Sequence, residues 1–225
     1  MFSDRLAEIQ KNIDASLKKA GRSDKVDVVA VSKYYPADAI KDAYEQGHRV
    51  FGESRVQDAN EKVEILKELK ELEFHFIGHL QTNKVKYLGS NFSLIHSVDS
   101  ERLAEELDKY FGKIGRIQDI LVQVNIADDP DKSGVSGDGA EALCDRISQM
   151  PNLRIRGLMM IPPLTDEEEK NRKYFAAMKE LFDRLSVGKE YTMEILSMGM
   201  SDDYTIAVEE GSTMVRIGTA LFSGR

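Results

Sequence analysis

Eight short runs rich in β-branched and aromatic residues, mostly separated by helical stretches, are the feature that most narrows what this chain can fold into. They are VDVVAV (26–31), RVFG (49–52), EFHFI (73–77), FSLIH (92–96), the long apolar segment 117–126, segment 153–160, EILS (194–197) and TMVRI (213–217). Parallel strands need a crossover of a dozen or more residues, usually a helix, so this alternation predicts a parallel sheet clothed in helices. Eight such units in a chain of 225 residues match a single (β/α)8 TIM-like barrel, and with no linker or repeat the reading is one domain, 1–225.

The intervening stretches carry helix signals. Leu6, Ile9, Ile13 and Leu17 form one apolar stripe, with Ser3 as its expected cap and Gly21 as its stop. Pro36 suits the first turn of a helix bearing Ile40, Ala43 and Tyr44 and closed by Gly47. Helices are further expected over 53–69, 81–88, 100–111 with Ser100 as cap, 166–186 with its acidic start at Asp166, and 202–210. No helix is expected after the last strand, so the extra first helix is expected to cover the vacant place.

The first strand ends on Lys33. A lysine at a strand end often only reaches water, but the sequences SMGMS (197–201) and VRIGT (215–219) place hydroxyls, glycine and Arg216 at two further strand ends. In a barrel, active groups gather at the carboxyl ends of the strands, and phosphate is commonly held after the last two. Ser201 is expected just ahead of a helix, where free amides favour an anion. Gly218 lets backbone approach, and Thr219 offers amide and hydroxyl. Closure sets the first strand beside the last, so Lys33 faces a phosphate grip, which suggests a Schiff base with a phosphorylated aldehyde. Arg216 inside a strand needs a buried partner, an ion pair being the plain alternative to a ligand.

Other classes are disfavoured. A formal charge of −8 argues against nucleic acid, which calls for a basic face. No run of about 18 apolar residues suggests a spanning helix, and Asp4 and Glu8 in the first helix argue against a signal peptide, so a cytoplasmic location is expected. Cys144, the one cysteine, cannot form an intrachain disulfide and is expected to be packed and inert. The acidic loop 127–139 lacks the ligand spacing of a calcium loop. His75 and His79 have a metal-like spacing, but Gly78 and strand alternation interrupt it, favouring packing or hydrogen bonding. His48 and His96 have no suggestive neighbours, and no metal is expected.

The segments AVSK (30–33), VFGE (50–53), HFIGHLQTNK (75–84), KSG (132–134), GLM (157–159), SMGMSD (197–202) and VRIGTA (215–220), in order along nearly the whole chain, resemble the pyridoxal phosphate homeostasis family, also known as the proline synthase co-transcribed family. The resemblance implies the barrel half of alanine racemase, fold type III of the pyridoxal phosphate proteins. It implies that Lys33 forms the internal aldimine with pyridoxal 5'-phosphate, that Ser201, Gly218 and Thr219 hold its phosphate, and that Arg216 approaches the pyridine nitrogen. An arginine there disfavours a proton on the ring and weakens the cofactor as an electron sink. Ser54 and Arg55 stand where relatives often carry Asn after the glutamate, and Glu53, His75, His79 and Lys132 receive no role.

The function implied is a cofactor-holding protein that contributes to intracellular pyridoxal phosphate homeostasis without established turnover. Apo-enzymes are its possible transient recipients, and a monomer is expected because a closed barrel exposes no sheet edge. Two alternatives stay open. A pyridoxal phosphate-dependent amino-acid racemase needs a second proton-transferring group, which in racemases comes from an additional β-domain that this chain is expected to lack. A cofactor-free aldolase would use Lys33 for a substrate Schiff base on the same barrel.

Overall fold

The computed structural model describes residues 1–163, 165 and 167–223. Its strands are β1 (Asp27–Val31), β2 (Val50–Glu53), β3 (Glu73–Phe76), β4 (Leu94–Val98), β5 (Gln118–Asn125), the two-residue β6 (Val135–Ser136), β7 (Leu153–Met159), β8 (Ile195–Ser197) and β9 (Met214–Ile217). The helices are α1 (Phe2–Lys19), α2 (Ala37–Glu45), α3 (Val56–Ile65), α4 (Glu101–Lys113), α5 (Ala140–Ser148), α6 (Glu168–Leu185), α7 (Tyr204–Glu209) and α8 (Thr219–Phe222), with a 3₁₀ helix at Thr82–Tyr87.

The strands hydrogen-bond in the order β4-β3-β2-β1-β9-β8-β7-β5, and a further β4–β5 pairing closes the sheet into an eight-stave barrel, with β6 appended to β5. Every pairing is parallel, as the crossover helices require. Side chains alternate across each stave. Val29, Leu94, Leu121, Met159 and Met214 fill the inside, while a larger shell including Ala30, Phe51, Phe76, Ile120 and Leu158 packs under the helices. One glycine is dictated by this packing. Gly157 has φ +153, and a Cβ there would lie 1.8 Å from the Ile195 carbonyl oxygen of the adjacent stave.

Several local expectations need correction. The charged helix begins at Val56 rather than at 53, because Glu53 ends β2 with its side chain fully buried and paired to Lys62. The fourth strand runs Leu94–Val98 instead of 92–96: Phe92 packs edge-on against Phe76, centroids 5.3 Å apart, before pairing starts at His75↔Leu94. Residues 82–87 form a 3₁₀ rather than an α-helix. Ser3 does not cap α1, which starts at Phe2, and its amide instead donates to Gln46 Oε1 at 2.8 Å. Ser100 occupies the N-cap of α4 without a side-chain cap bond. Asp166 lies outside the described residues.

A short α8 does follow the last strand, and α1 packs on it as well as on α7. Phe2 and Phe222 meet at 5.5 Å, Asn12 donates to Tyr204 Oη at 2.9 Å, and Lys19 pairs with Glu209 at 2.8 Å. Among the described residues, no helix is long and apolar enough to cross a membrane.

Candidate cofactor site

Lys33 owes its position to the residue before it. The Ser32 amide donates to the Gly52 carbonyl at 3.0 Å, extending the β1–β2 ladder one residue past β1. Its hydroxyl donates to Glu53 Oε1 at 2.6 Å, on the helix side of the barrel wall, where Lys62 of α3 donates to the same oxygen at 2.7 Å and to the Ser32 carbonyl at 2.8 Å. β1 ends at Val31, two residues short of the expected end at Lys33, and half-buried Lys33 lies in the turn that follows at the carboxyl mouth, closed by the Tyr35 amide donating to the Ser32 carbonyl at 2.9 Å. Lys33 Nζ lies 4.9 Å from the centroid of the exposed Tyr34 ring.

The neighbouring stave supplies the second part. β1 pairs with β9 in the register Val29↔Arg216 and Ala30↔Ile217, so Gly218 comes to the level of Val31. A Cβ on Gly218 would touch Val31 Cβ at 3.4 Å, filling the gap between the two strand ends. Gly218 is the N-cap of α8, and its carbonyl accepts from the Leu221 and Phe222 amides, which leaves the amides of Thr219 and Ala220 without an acceptor within the helix. Ser201 approaches from the β8–α7 loop, its Oγ 3.5 Å from the Ala220 amide. That loop is held by Gly199 at φ +96, whose carbonyl accepts from the Arg216 amide at 3.0 Å, and by the Met200 amide donating to Asp203 Oδ1 at 2.6 Å. Burial raises the Asp203 carboxyl above its ordinary range.

Ser201, Gly218 and Thr219 are therefore brought together as expected, with one difference. α7 begins at Tyr204 with Asp203 at its N-cap, so Ser201 lies in the turn ahead of it and faces α8 instead.

Arg216 answers the question of its buried partner without a carboxylate. Its Nη1 donates to the Ser197 carbonyl at 2.9 Å and to Ser197 Oγ at 2.7 Å, and its Nη2 to the Met160 carbonyl at 2.8 Å. The residue is 4 % exposed, and burial lowers the guanidinium to about 10, opposed by the charge of Asp203 at longer range. It makes no ion pair among the described residues.

Three of the four residues without an assigned role, Glu53, His75 and His79, make side-chain contacts. Glu53 braces the residue before Lys33, as above. His75 Nδ1 and His96 Nε2 lie 3.0 Å apart inside the barrel, and His96 Nδ1 meets Ser197 Oγ at 3.1 Å. His96, which the sequence left without neighbours, thus sits two contacts from Arg216. The KSG segment folds against the mouth: His79 Nδ1 is 3.2 Å from Ser133 Oγ, beside half-buried Lys132. Cys144 is buried and its thiol is pushed up to about 12, as suits an inert residue. A cavity of about 590 Å³ beside the Ser201 loop is lined by Pro162, Asn171, Met200, Asp202 and Asp203 among others, and Lys33 is not part of its wall.

The donor set at the mouth comprises a primary amine, two hydroxyls, backbone amides and a guanidinium held by carbonyls. It is rich in donors, which fits an anionic ligand with an acceptor nitrogen and a group that condenses with amines. Comparison with known proteins is consistent with this chemistry. Residues 5–225 match the family model of the alanine racemase N-terminal domain. A pyridoxal phosphate homeostasis protein of Aquifex aeolicus is 42% identical over 99% of this chain and 97% of its own length, and one of Pasteurella multocida 38% identical over 100% and 97%. The structure of PipY from Synechococcus elongatus with PLP bound superposes with a TM-score of 0.88 at 38% identity, covering 99% of this chain and 100% of that one. Sequence, fold and mouth geometry agree, and the chain belongs to the pyridoxal phosphate homeostasis protein family.

Proposed function

We propose that this protein binds pyridoxal 5'-phosphate at the carboxyl mouth of its barrel and contributes to pyridoxal phosphate homeostasis, holding the cofactor for release to apo-enzymes without turning over an amino acid. The observation that carries this reading is the convergence of Lys33, the Ser201 turn and the Gly218–Thr219 start of α8 at the ends of adjacent staves, with Arg216 below them. Bound there, the cofactor supplies an aldehyde that condenses with a primary amine. Lys33 contributes that amine. Ser201 and Thr219, with the α8 amides, donate to the phosphate, and Gly218 lets the backbone come close. Arg216 would face the ring nitrogen as a held cation and would disfavour a proton there. That arrangement opposes carbanion chemistry and supports a carrier over a racemase.

The test is the visible spectrum of the purified protein with pyridoxal 5'-phosphate, before and after borohydride, followed by mapping of the reduced peptide. One modified lysine at position 33 is expected, and none in Lys33→Ala; label fixed on another lysine overturns the assignment. Either enantiomer of alanine or serine should stay unconverted, and sustained interconversion would replace the carrier reading with a racemase. The closed sheet supports a monomer, which light scattering checks.

A further inference from the structure

A line of four buried polar side chains crosses the barrel interior from the cofactor mouth toward the opposite end. Arg216, Ser197, His96 and His75 are 4 %, 0 %, 0 % and 6 % exposed, and they are joined by the contacts Nη1–Oγ at 2.7 Å, Oγ–Nδ1 at 3.1 Å and Nε2–Nδ1 at 3.0 Å. His75 also lines a cavity of about 300 Å³ among the strand starts, with Asp27, Glu73 and Asp119 as its carboxylates and Val50, Leu94, Ile195 and Met214 as apolar wall. That cavity is at the amino end of the staves, across the barrel from Lys33.

The chemistry of the first member sets the direction of every bond. Arginine can only donate, so Ser197 Oγ accepts from it. The single hydroxyl proton of Ser197 then goes to His96 Nδ1, its other polar neighbour. His96 must therefore carry its own proton on Nε2 and donate to His75 Nδ1, which leaves the His75 proton on Nε2. The reverse direction would aim two donors at Ser197 Oγ and leave a buried hydroxyl proton without an acceptor, which is costly. Burial lowers both imidazoles, His75 to about 4 and His96 well below its ordinary value, with the neighbouring His75 and Arg216 adding to the effect at His96, so both rings are neutral at pH 7.

We propose that His96 and His75 are positioning residues for Arg216. Their one-way hydrogen-bond relay turns the Ser197 lone pair to the guanidinium and fixes the face that Arg216 offers to the cofactor ring. This rests on the proposed placement of Arg216 beneath the ring nitrogen. Neither histidine touches the phosphate grip; their effect passes through Ser197.

Two measurements separate the relay from the cofactor reading. In the cofactor-free protein, long-range proton–nitrogen correlation of the four imidazoles, assigned by single histidine substitutions, is expected to show His75 and His96 as neutral Nε2–H tautomers at pH 7. An Nδ1–H tautomer at either ring, or titration of either near pH 6.5, overturns the relay. In the loaded protein, His96→Leu removes the acceptor for Ser197, whereas His96→Gln keeps an acceptor and a donor. The absorption maximum of the bound cofactor is expected to shift in the leucine variant and return toward wild type in the glutamine variant, with borohydride fixation at Lys33 unchanged in both. Arg216→Ala is the control: a band that moves with Arg216→Ala but stays put in His96→Leu overturns the positioning role alone, and a band indifferent to both overturns the placement of Arg216. If no cofactor binds, slowed exchange of the Arg216 Nη protons decides the matter, being expected in wild type and His96→Gln and lost in His96→Leu; its retention in the leucine variant overturns the proposal.

Discussion

Replacing Lys62 by methionine tests whether the buried brace behind Ser32 holds up the start of the site. Glu53 is 0 % exposed, and its Oε1 accepts from Ser32 Oγ at 2.6 Å and from Lys62 Nζ at 2.7 Å, while its Oε2 has no partner among the described residues. Lys62→Met keeps most of the stem volume but leaves the carboxylate with the serine hydroxyl alone. Stranding one partner of a buried ion pair typically costs about 3–5 kcal/mol. For a domain of this size each kcal/mol moves Tm by about 2–4 °C, so a fall of roughly 6–20 °C is expected. The double variant Glu53→Gln/Lys62→Met should recover most of it, because a neutral amide no longer needs a cation. Thermal melts at pH 7 followed by circular dichroism decide the matter. A single variant within about 2 °C of the parent, or a double variant melting as low as the single one, would show that the pair is not the brace described.

Three further outcomes are expected. The lowered pKa of His75, about 4 in the folded chain against 6.5, means that below 6.5 the unfolded chain takes up a proton that the native one refuses. The stabilisation is full above 6.5 and is lost as pH falls toward 4, by about 3 kcal/mol; His75→Gln should flatten that part of the stability–pH curve in urea titrations, and an unchanged slope contradicts the burial argument. Cys144, pushed up to about 12, should resist a thiol-reactive disulfide at pH 8 until the protein is unfolded, and prompt reaction of the native protein would contradict its packing. Gly157→Ala drives a Cβ into the Ile195 carbonyl at 1.8 Å, so soluble yield should collapse, and a normal melt would disprove the closeness of β7 and β8 there.

Much of the architecture is legible because strand and helix periods differ and because parallel strands must be separated by crossovers. Lys33, Ser201, Gly218 and Thr219 could be placed since each ends or follows a stave, and barrel closure makes the first and last staves neighbours. What stayed hidden depends on contacts that sequence distance conceals. Glu53 reads as the first residue of a charged helix, and only the Lys62 amine of α3, nine residues on, makes a buried carboxylate tolerable at a strand end. The link from His96 to Ser197 spans 101 residues and that from His75 to His96 spans 21; alternation can assign these side chains to the inside, but not which ones meet. Arg216 was recognisable as a buried cation needing partners, yet main-chain carbonyls carry no sequence signature, so an ion pair was the natural alternative. Asp202 and Asp203 both suit a helix start, so the sequence alone sets α7 too close to Ser201, and the part-buried bond from the Met200 amide to Asp203 selects the second.

The docking of α1 ties together parts of the chain that are made far apart in time. Its bond from Asn12 reaches Tyr204 across 192 residues, and the same helix rests on α8, so this apolar stripe stays uncovered until α7 and α8 have both been made. Long-range closure of this kind is slow and exposes sticky surface meanwhile. The Ser201 turn and Gly218 both open onto helices seated on that one support, so, with the cofactor placed as proposed, the docking of α1 and the readiness to accept it should coincide.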